Sequence, residues 1–215
     1  MYHYLDDKEY LHKMKALCGK IMQDFCHVLK EKYDIGAIFY LVGSGARNLI
    51  LQNSTEPIDL DYNLEIVRCE NFEDCHYIKE CARKAFNIAL NNHCWSDCED
   101  STSSLTTKKC YFTTGNQTEF SIDVCITKRD TPKGNYYRLI HEKTCYDKYY
   151  WNKAPQSKSL NKKVDYIKEH GKWESVRKQY LGIKNKYLTQ NDYNHPSFIC
   201  YIEAVNNVYN SRNNW

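Results

Sequence analysis

The sequence predicts an α+β fold, a small mixed sheet flanked by helices and followed by a helical C-terminal part. Three observations predict it. Helical and strand-type hydrophobic periods alternate through residue 126, and helical periods take over from about residue 157. Of 215 residues, 42% are hydrophobic and 27% charged, enough apolar material for a core without disulfide or metal staples. Only 8 glycines and 4 prolines are present, which excludes collagen-like and Pro/Gly-rich disordered classes.

Each element follows from its pattern. Leu11, Met14, Leu17, Cys18, Ile21, Met22, Phe25 and Val28 recur at threes and fours, so 6–33 is a long amphipathic helix. Asp6 and Asp7 suit the positive end of its dipole. The run Ala37-Ile-Phe-Tyr-Leu-Val42 is a buried strand, Gly43-Ser-Gly45 a turn, and 46–51 a short helix. Residues 53–57 form a turn. Ile58 to Ile66 alternates apolar and polar, as a strand does. Helical spacing returns over 72–93, and 95–107 reads as a polar connector. Residues 109–114 and 119–126 read as a hairpin, with an edge strand at 136–140. Helices follow at 157–170 and 172–189, with a last one from Pro196 to Tyr209.

Mean hydropathy is −0.74 and no apolar run approaches 18 residues, so no membrane-spanning helix or membrane partner is expected. The opening Met1-Tyr-His-Tyr-Leu-Asp-Asp lacks the basic and apolar regions of an export signal. Eleven cysteines, an odd count without such a signal, point to reduced thiols and a cytoplasmic location. His93-Cys94 and Cys98 lack a second paired ligand set for structural zinc. Charge is unevenly spread: residues 151–190 hold 10 basic against 3 acidic residues, a net +7, on a chain of net +3. A basic face of this kind suits a polyanion such as a nucleoside triphosphate or RNA.

Three carboxylates carry the chemistry. Asp59 and Asp61 are two apart on one strand and leave it on the same face. Two like charges there repel unless a cation lies between them, and hard Mg²⁺ or Mn²⁺ takes oxygen ligands. Asp123, between Ile122 and Val124, can rise from the same sheet surface. Gly43-Ser44-Gly45 joins a strand to a helix whose free N–H groups suit an anion, and Arg47 can add a charge-assisted contact.

The pattern Leu41-Val-Gly43-Ser44, then Ile58-Asp59-Leu60-Asp61, then Ile122-Asp123-Val124 resembles the DNA polymerase β-like nucleotidyltransferase superfamily, over about residues 36–126. The resemblance implies the nucleotidyltransferase fold and a metal-dependent transfer of NMP from NTP, such as ATP, to an acceptor, with release of pyrophosphate. It implies that Asp59 and Asp61 bind two divalent ions and that Asp123 binds the one activating the acceptor hydroxyl. Gly43, Ser44 and Arg47 would contact the phosphates. The 14 residues between Ser44 and Asp59 make a long gap for that family, as a loop insertion would. A catalytic domain is expected over 1–150 and a basic helical region packed on it over 151–215. The acceptor is open among small molecules, RNA and proteins. The second reading is a binding module of the same fold that holds RNA or a partner protein without turnover. The intact carboxylate set weighs against it.

Overall fold

A computed structural model describes residues 1–130, 134–154, 158–192 and 195–215. The chain begins with strand β1 (Tyr2–Tyr4), helix α1 (Lys8–Tyr33), strand β2 (Gly36–Leu41), helix α2 (Gly43–Arg47) and strand β3 (Leu51–Asn53). Next come β4 (Ile58–Arg68), α3 (Cys75–Asn92), β5 (Glu99–Asp100), β6 (Leu105–Thr106) and β7 (Phe120–Asp130). Strands β8 (Asn135–Glu142) and β9 (Lys148–Lys153) precede helices α4 (Lys158–Glu169), α5 (Trp173–Thr189) and α6 (Ser197–Asn210). They gather into two compact units: residues 7–47 with 57–155, and residues 1–6 with 48–56 and 156–215. A division at 150/151 falls inside β9, and the helical unit takes in two earlier stretches of chain.

The first unit is built on a seven-stranded mixed sheet in the order β2-β4-β7-β6-β5, with β8 pairing β7 and β9. Its centre is the parallel pair β4 and β7, joined by a long crossover that contains α3. Along β4, Ile58, Leu60, Tyr62, Leu64 and Ile66 are buried, while Asp59 is exposed and Asp61 and Asn63 are half-buried. That alternation turns one face of the strand into the core. Helices α1 and α3 pack together through Phe25 and Phe86, stacked at 4.8 Å and both fully buried. Each such ring contributes roughly 1.5–3 kcal/mol by burial. Asp7 caps α1 by accepting from the Tyr10 N–H at 2.9 Å, and Asp34 ends it in the left-handed region at φ 52°.

The short strand β5 is anchored by buried charge. Lys79 on α3 is 1% exposed and lies 2.6 Å from Asp100 Oδ1, while His141 Nδ1 lies 2.6 Å from Asp100 Oδ2. Lys79 also donates to the Ser101 carbonyl at 2.7 Å. Burial pushes the Asp100 carboxyl up, but hydrogen bonds from Lys79 and His141, with their charges, outweigh it and hold the group below its ordinary range.

Two expected elements differ. The helix placed at 46–51 lies at Gly43–Arg47 and ends where Asn48 adopts φ 58°; Leu51 then starts a strand. The hairpin strand placed at 109–114 is not a strand. Residues 105–110 run beside β7 instead, through Leu105↔Val124, Thr106↔Asp123 and the bridge Cys110↔Phe120. Tyr111 is exposed, and Phe112 turns inward onto Tyr10 and Phe120. The edge strand expected at 136–140 is present as part of β8.

The helical unit packs α4, α5 and α6 around Val164, Ile167, Val176, Cys200, Ala204 and Val205. Strands β1 and β3 form a two-stranded antiparallel ladder in this unit, and Leu49 enters its core. The insertion between Ser44 and Asp59 is thus the stretch that supplies β3 to the helices. Among the described residues, no helix is long and apolar enough to cross a membrane. All eleven cysteines fall within the described residues, each as a free thiol.

Candidate active site

The register of β4 and β7 places the carboxylates. Asp61 lies directly opposite Asp123, and Asp59 opposite Ser121. Paired residues of a parallel ladder share a face, so all three acids rise from the side of the sheet away from Leu60 and Ile122, both fully buried. The parity argument from sequence therefore holds.

The Gly43 turn meets this face. The Val42 N–H donates to the Asp61 carbonyl at 2.8 Å, which docks the end of β2 beside Asp61. Gly43 has φ +62°, and a Cβ built there would land on the Asp61 carboxylate. Only glycine satisfies both demands. At Gly45 an added Cβ would sit 3.0 Å from Leu60 and 3.2 Å from Leu41, so α2 lies tight on the strand beneath it. Lys15 Nζ donates to the Gly45 carbonyl at 2.8 Å and pins this turn to α1. Ser44 is half-buried. Arg47 donates from Nη1 to the Gly43 carbonyl at 2.8 Å, and its charge acts on Asp61.

Crowding of the acids shows in their protonation. Burial, then repulsion from Asp123 and Asp59, raises the Asp61 carboxyl to about 6, against the opposing pull of Arg47 and Arg138. Asp123 is raised by burial and by Asp59, while a hydrogen bond from Thr106 works the other way. Thr106 Oγ1 donates to Asp123 Oδ1 at 2.5 Å, and Ser121 Oγ donates to Asp59 Oδ1. Each bond fixes one oxygen of its carboxylate.

This donor set suits a hard divalent cation. Among the described residues, no three His, Cys, Asp or Glu side chains stand close enough to cage an ion as they are arranged. Mg²⁺ does not require such a cage, since it binds through one or two carboxylates completed by water and substrate phosphates. Mutual repulsion at Asp61 is the strain that a cation would relieve.

Thr106 and Arg138 join the site without a signal in the sequence. Thr106 sits in a Ser/Thr-rich connector on a strand of only two residues, too short for any period to register. Arg138 comes from β8, where Thr127↔Arg138 pairing brings it onto the face of the carboxylates. Ser121, by contrast, stands two residues before Asp123 and shares its face of β7. Cys125, two after Asp123, is half-buried on the same face, and burial raises its thiol.

No protein-family model and no curated protein matches the chain. Solved structures do. Vibrio cholerae DncV with 3′-deoxy ATP matches with a TM-score of 0.64 at 16% identity, over 94% of this chain and 67% of that one. The same protein, a cyclic AMP-GMP synthase, in complex with the linear intermediate 5′-pppA(3′,5′)pG matches with a TM-score of 0.63 at 13% identity, over 94% of this chain and 68% of that one. Escherichia coli MS115-1 CdnC with ATP matches with 0.56 at 14% identity, over 93% and 61%. This chain thus spans about three fifths to two thirds of the length of these structures. At such identities the likeness is one of fold. The chain has the nucleotidyltransferase fold, as the Gly-Ser turn and the three spaced aspartates led us to expect.

Proposed function

We propose that this chain is a metal-dependent nucleotidyltransferase that moves NMP from NTP to an acceptor hydroxyl and releases pyrophosphate. One observation carries the reading: a left-handed glycine turn whose missing side chain makes room for Asp61, itself register-paired with Asp123. Asp59, Asp61 and Asp123 would hold the divalent ions. When bound, Mg²⁺ or Mn²⁺ supplies charge neutralisation at the phosphates and acidifies the acceptor hydroxyl. Gly43 and Ser44 would contact the triphosphate at the turn, and Arg47 would add positive charge beside it. Ser121 and Thr106 each hold one oxygen of Asp59 and Asp123 by a hydrogen bond and so restrict the rotation of both groups. The acceptor oxygen bonds to the α-phosphorus as the bond to the β-phosphate breaks. Pyrophosphate leaves with the electron pair, and Asp123 receives the hydroxyl proton. Positioning rather than covalent catalysis supplies most of the rate.

The fold relatives include a synthase bound to a linear dinucleotide, so a second nucleotide is the first acceptor to test. The experiment incubates the protein with each α-labelled NTP, alone and in pairs, with Mg²⁺ or Mn²⁺, and follows pyrophosphate and labelled product. Product from the parent and none from Asp59→Asn or Asp123→Asn supports the reading. Product formed equally by those variants, or NTP hydrolysed only to NDP, overturns it.

A further inference from the structure

Within the helical unit, four rings converge on one surface of α4 and α6. Tyr166 stacks on His170 at 4.1 Å and 29°, and meets Tyr209 edge-on at 5.5 Å. Trp215 lies tilted against Tyr166 at 5.9 Å and against His170 at 5.8 Å. Tyr166 and Trp215 are 36% and 37% exposed, and His170 is exposed too. Stepped rings of this kind, open on one side, bury less apolar surface than a core would demand of them.

Cations surround the rings. Arg212 lies 4.3 Å and Lys163 5.5 Å from the centroid of Tyr209, and Lys172 lies 5.8 Å from that of Trp215. Among the described residues, none of these three cations stands within ion-pair distance of a carboxylate. Lys163 donates to the Asn206 amide and Arg212 to the Tyr209 carbonyl, both neutral partners. The acids of α4 fall on the side of Tyr166 away from Lys163 and His170. At 100° per residue, Lys163 and His170 lie within about 60° of Tyr166 on one side, while Glu169 lies about 60° and Asp165 about 100° away on the other.

We infer that this surface binds single-stranded nucleic acid. Bases present flat π-faces that stack on exposed Tyr, His and Trp rings without regard to sequence, and the phosphates between them are neutralised by unpaired cations. The segment that contributes Tyr166 and His170 carries a net +7 over 151–190, a charge that matches a phosphate backbone. A duplex, whose bases are already stacked and paired, cannot offer those faces. The surface lies wholly in the helical unit and its role is independent of turnover at the carboxylates.

The test is anisotropy of the full chain with a labelled oligouridylate, an oligothymidylate and a duplex RNA of equal length, at low and at physiological salt. Both single strands should bind more tightly than the duplex. Tyr166→Ala and Trp215→Ala should each weaken single-strand binding by about fivefold or more, the loss expected of one stacking ring. Tyr166→Phe should retain it. Lys163→Gln with Lys172→Gln should flatten the salt dependence. Preference of RNA over DNA would assign a role to the 2′-hydroxyl; equal binding would assign stacking and charge alone; either supports the surface. Thermal melts by circular dichroism identify any ring variant that fails to fold, and Trp215→Ala, at an exposed position, is then the deciding one. No single-strand binding, equal binding of duplex, or ring variants that bind like the parent would each overturn the inference.

Discussion

At Asp61 the structure stores a conflict that chemistry can use. A carboxyl raised from 3.8 to about 6 binds its proton more tightly in the folded than in the unfolded chain. Its contribution to stability therefore falls as pH rises between those values, and above pH 6 the ionised group is a net cost of roughly 1–3 kcal/mol. Asp61→Asn removes the charge and keeps the volume. Without divalent ions it should melt higher than the parent at pH 8 and no higher at pH 4, while Mg²⁺-dependent turnover is abolished. A variant that turns over NTP like the parent would end Asp61's assignment as a ligand. Gly43 is the complementary case. Gly43→Ala combines a left-handed backbone, at about 1–2 kcal/mol for an L-residue, with a methyl group directed at the Asp61 carboxylate. We expect lower stability by at least that amount and loss of NTP affinity, read by thermal melts and by titration with a non-hydrolysable triphosphate.

Among the elements, those that carry a long period were legible and those that borrow their order from neighbours were not. β4 runs 11 residues, and its alternation alone predicts the facing of Asp59 and Asp61. The Gly-Ser turn is legible because glycine marks it, although the helix that follows begins three residues earlier than its apolar pattern suggested. β5 and β6 have two residues each and exist because β7 offers a free edge and Lys79 holds Asp100. No local signal announces them, so Thr106 escaped notice. That dependence gives a prediction. Lys79→Met leaves Asp100 buried without its cation, a change that costs on the order of 3–5 kcal/mol. The Asp100 carboxyl is held low in the folded chain, so its stabilising share is present above pH 4 and lost as pH falls below it. Parent and variant should therefore differ most in denaturation midpoint near neutral pH and converge in acid. Thr106, on the strand paired to β5, should lose its hold on Asp123, so the variant should also show reduced turnover under conditions where it remains folded. An undiminished neutral midpoint would show that the ion pair contributes nothing.

For the molecule as a whole, the two units interleave along the chain in a way that neither composition nor period reveals. The helices from residue 157 onward were legible, and so was the sheet. That residues 1–6 and 48–56 belong with the helices was not, because strands of three residues match any sequence rich in tyrosine and leucine. What holds them there is specific. The Tyr4 hydroxyl donates to the Arg177 carbonyl at 2.9 Å, and the Arg177 guanidinium lies 4.1 Å from the Tyr4 ring centroid. The Tyr2 N–H donates to Asn185 Oδ1 at 2.7 Å, and Asn185 donates back to the Tyr2 carbonyl at 3.1 Å. Strand β1 is thereby clamped to α5, and β3 is clamped through β1. Tyr4→Ala removes the half-buried ring and its cation–π contact, at about 2–4 kcal/mol. Tyr4→Phe removes only the hydroxyl bond, at about 1 kcal/mol. Amide hydrogen exchange should show faster exchange in 48–56 and α5 for the alanine variant, with the sheet from β4 to β7 keeping its protection. The phenylalanine variant should stay close to the parent. If exchange rises equally in β4 and β7, the two stretches do not open as part of the helical unit, and the boundary between sheet and helices is not a boundary of stability.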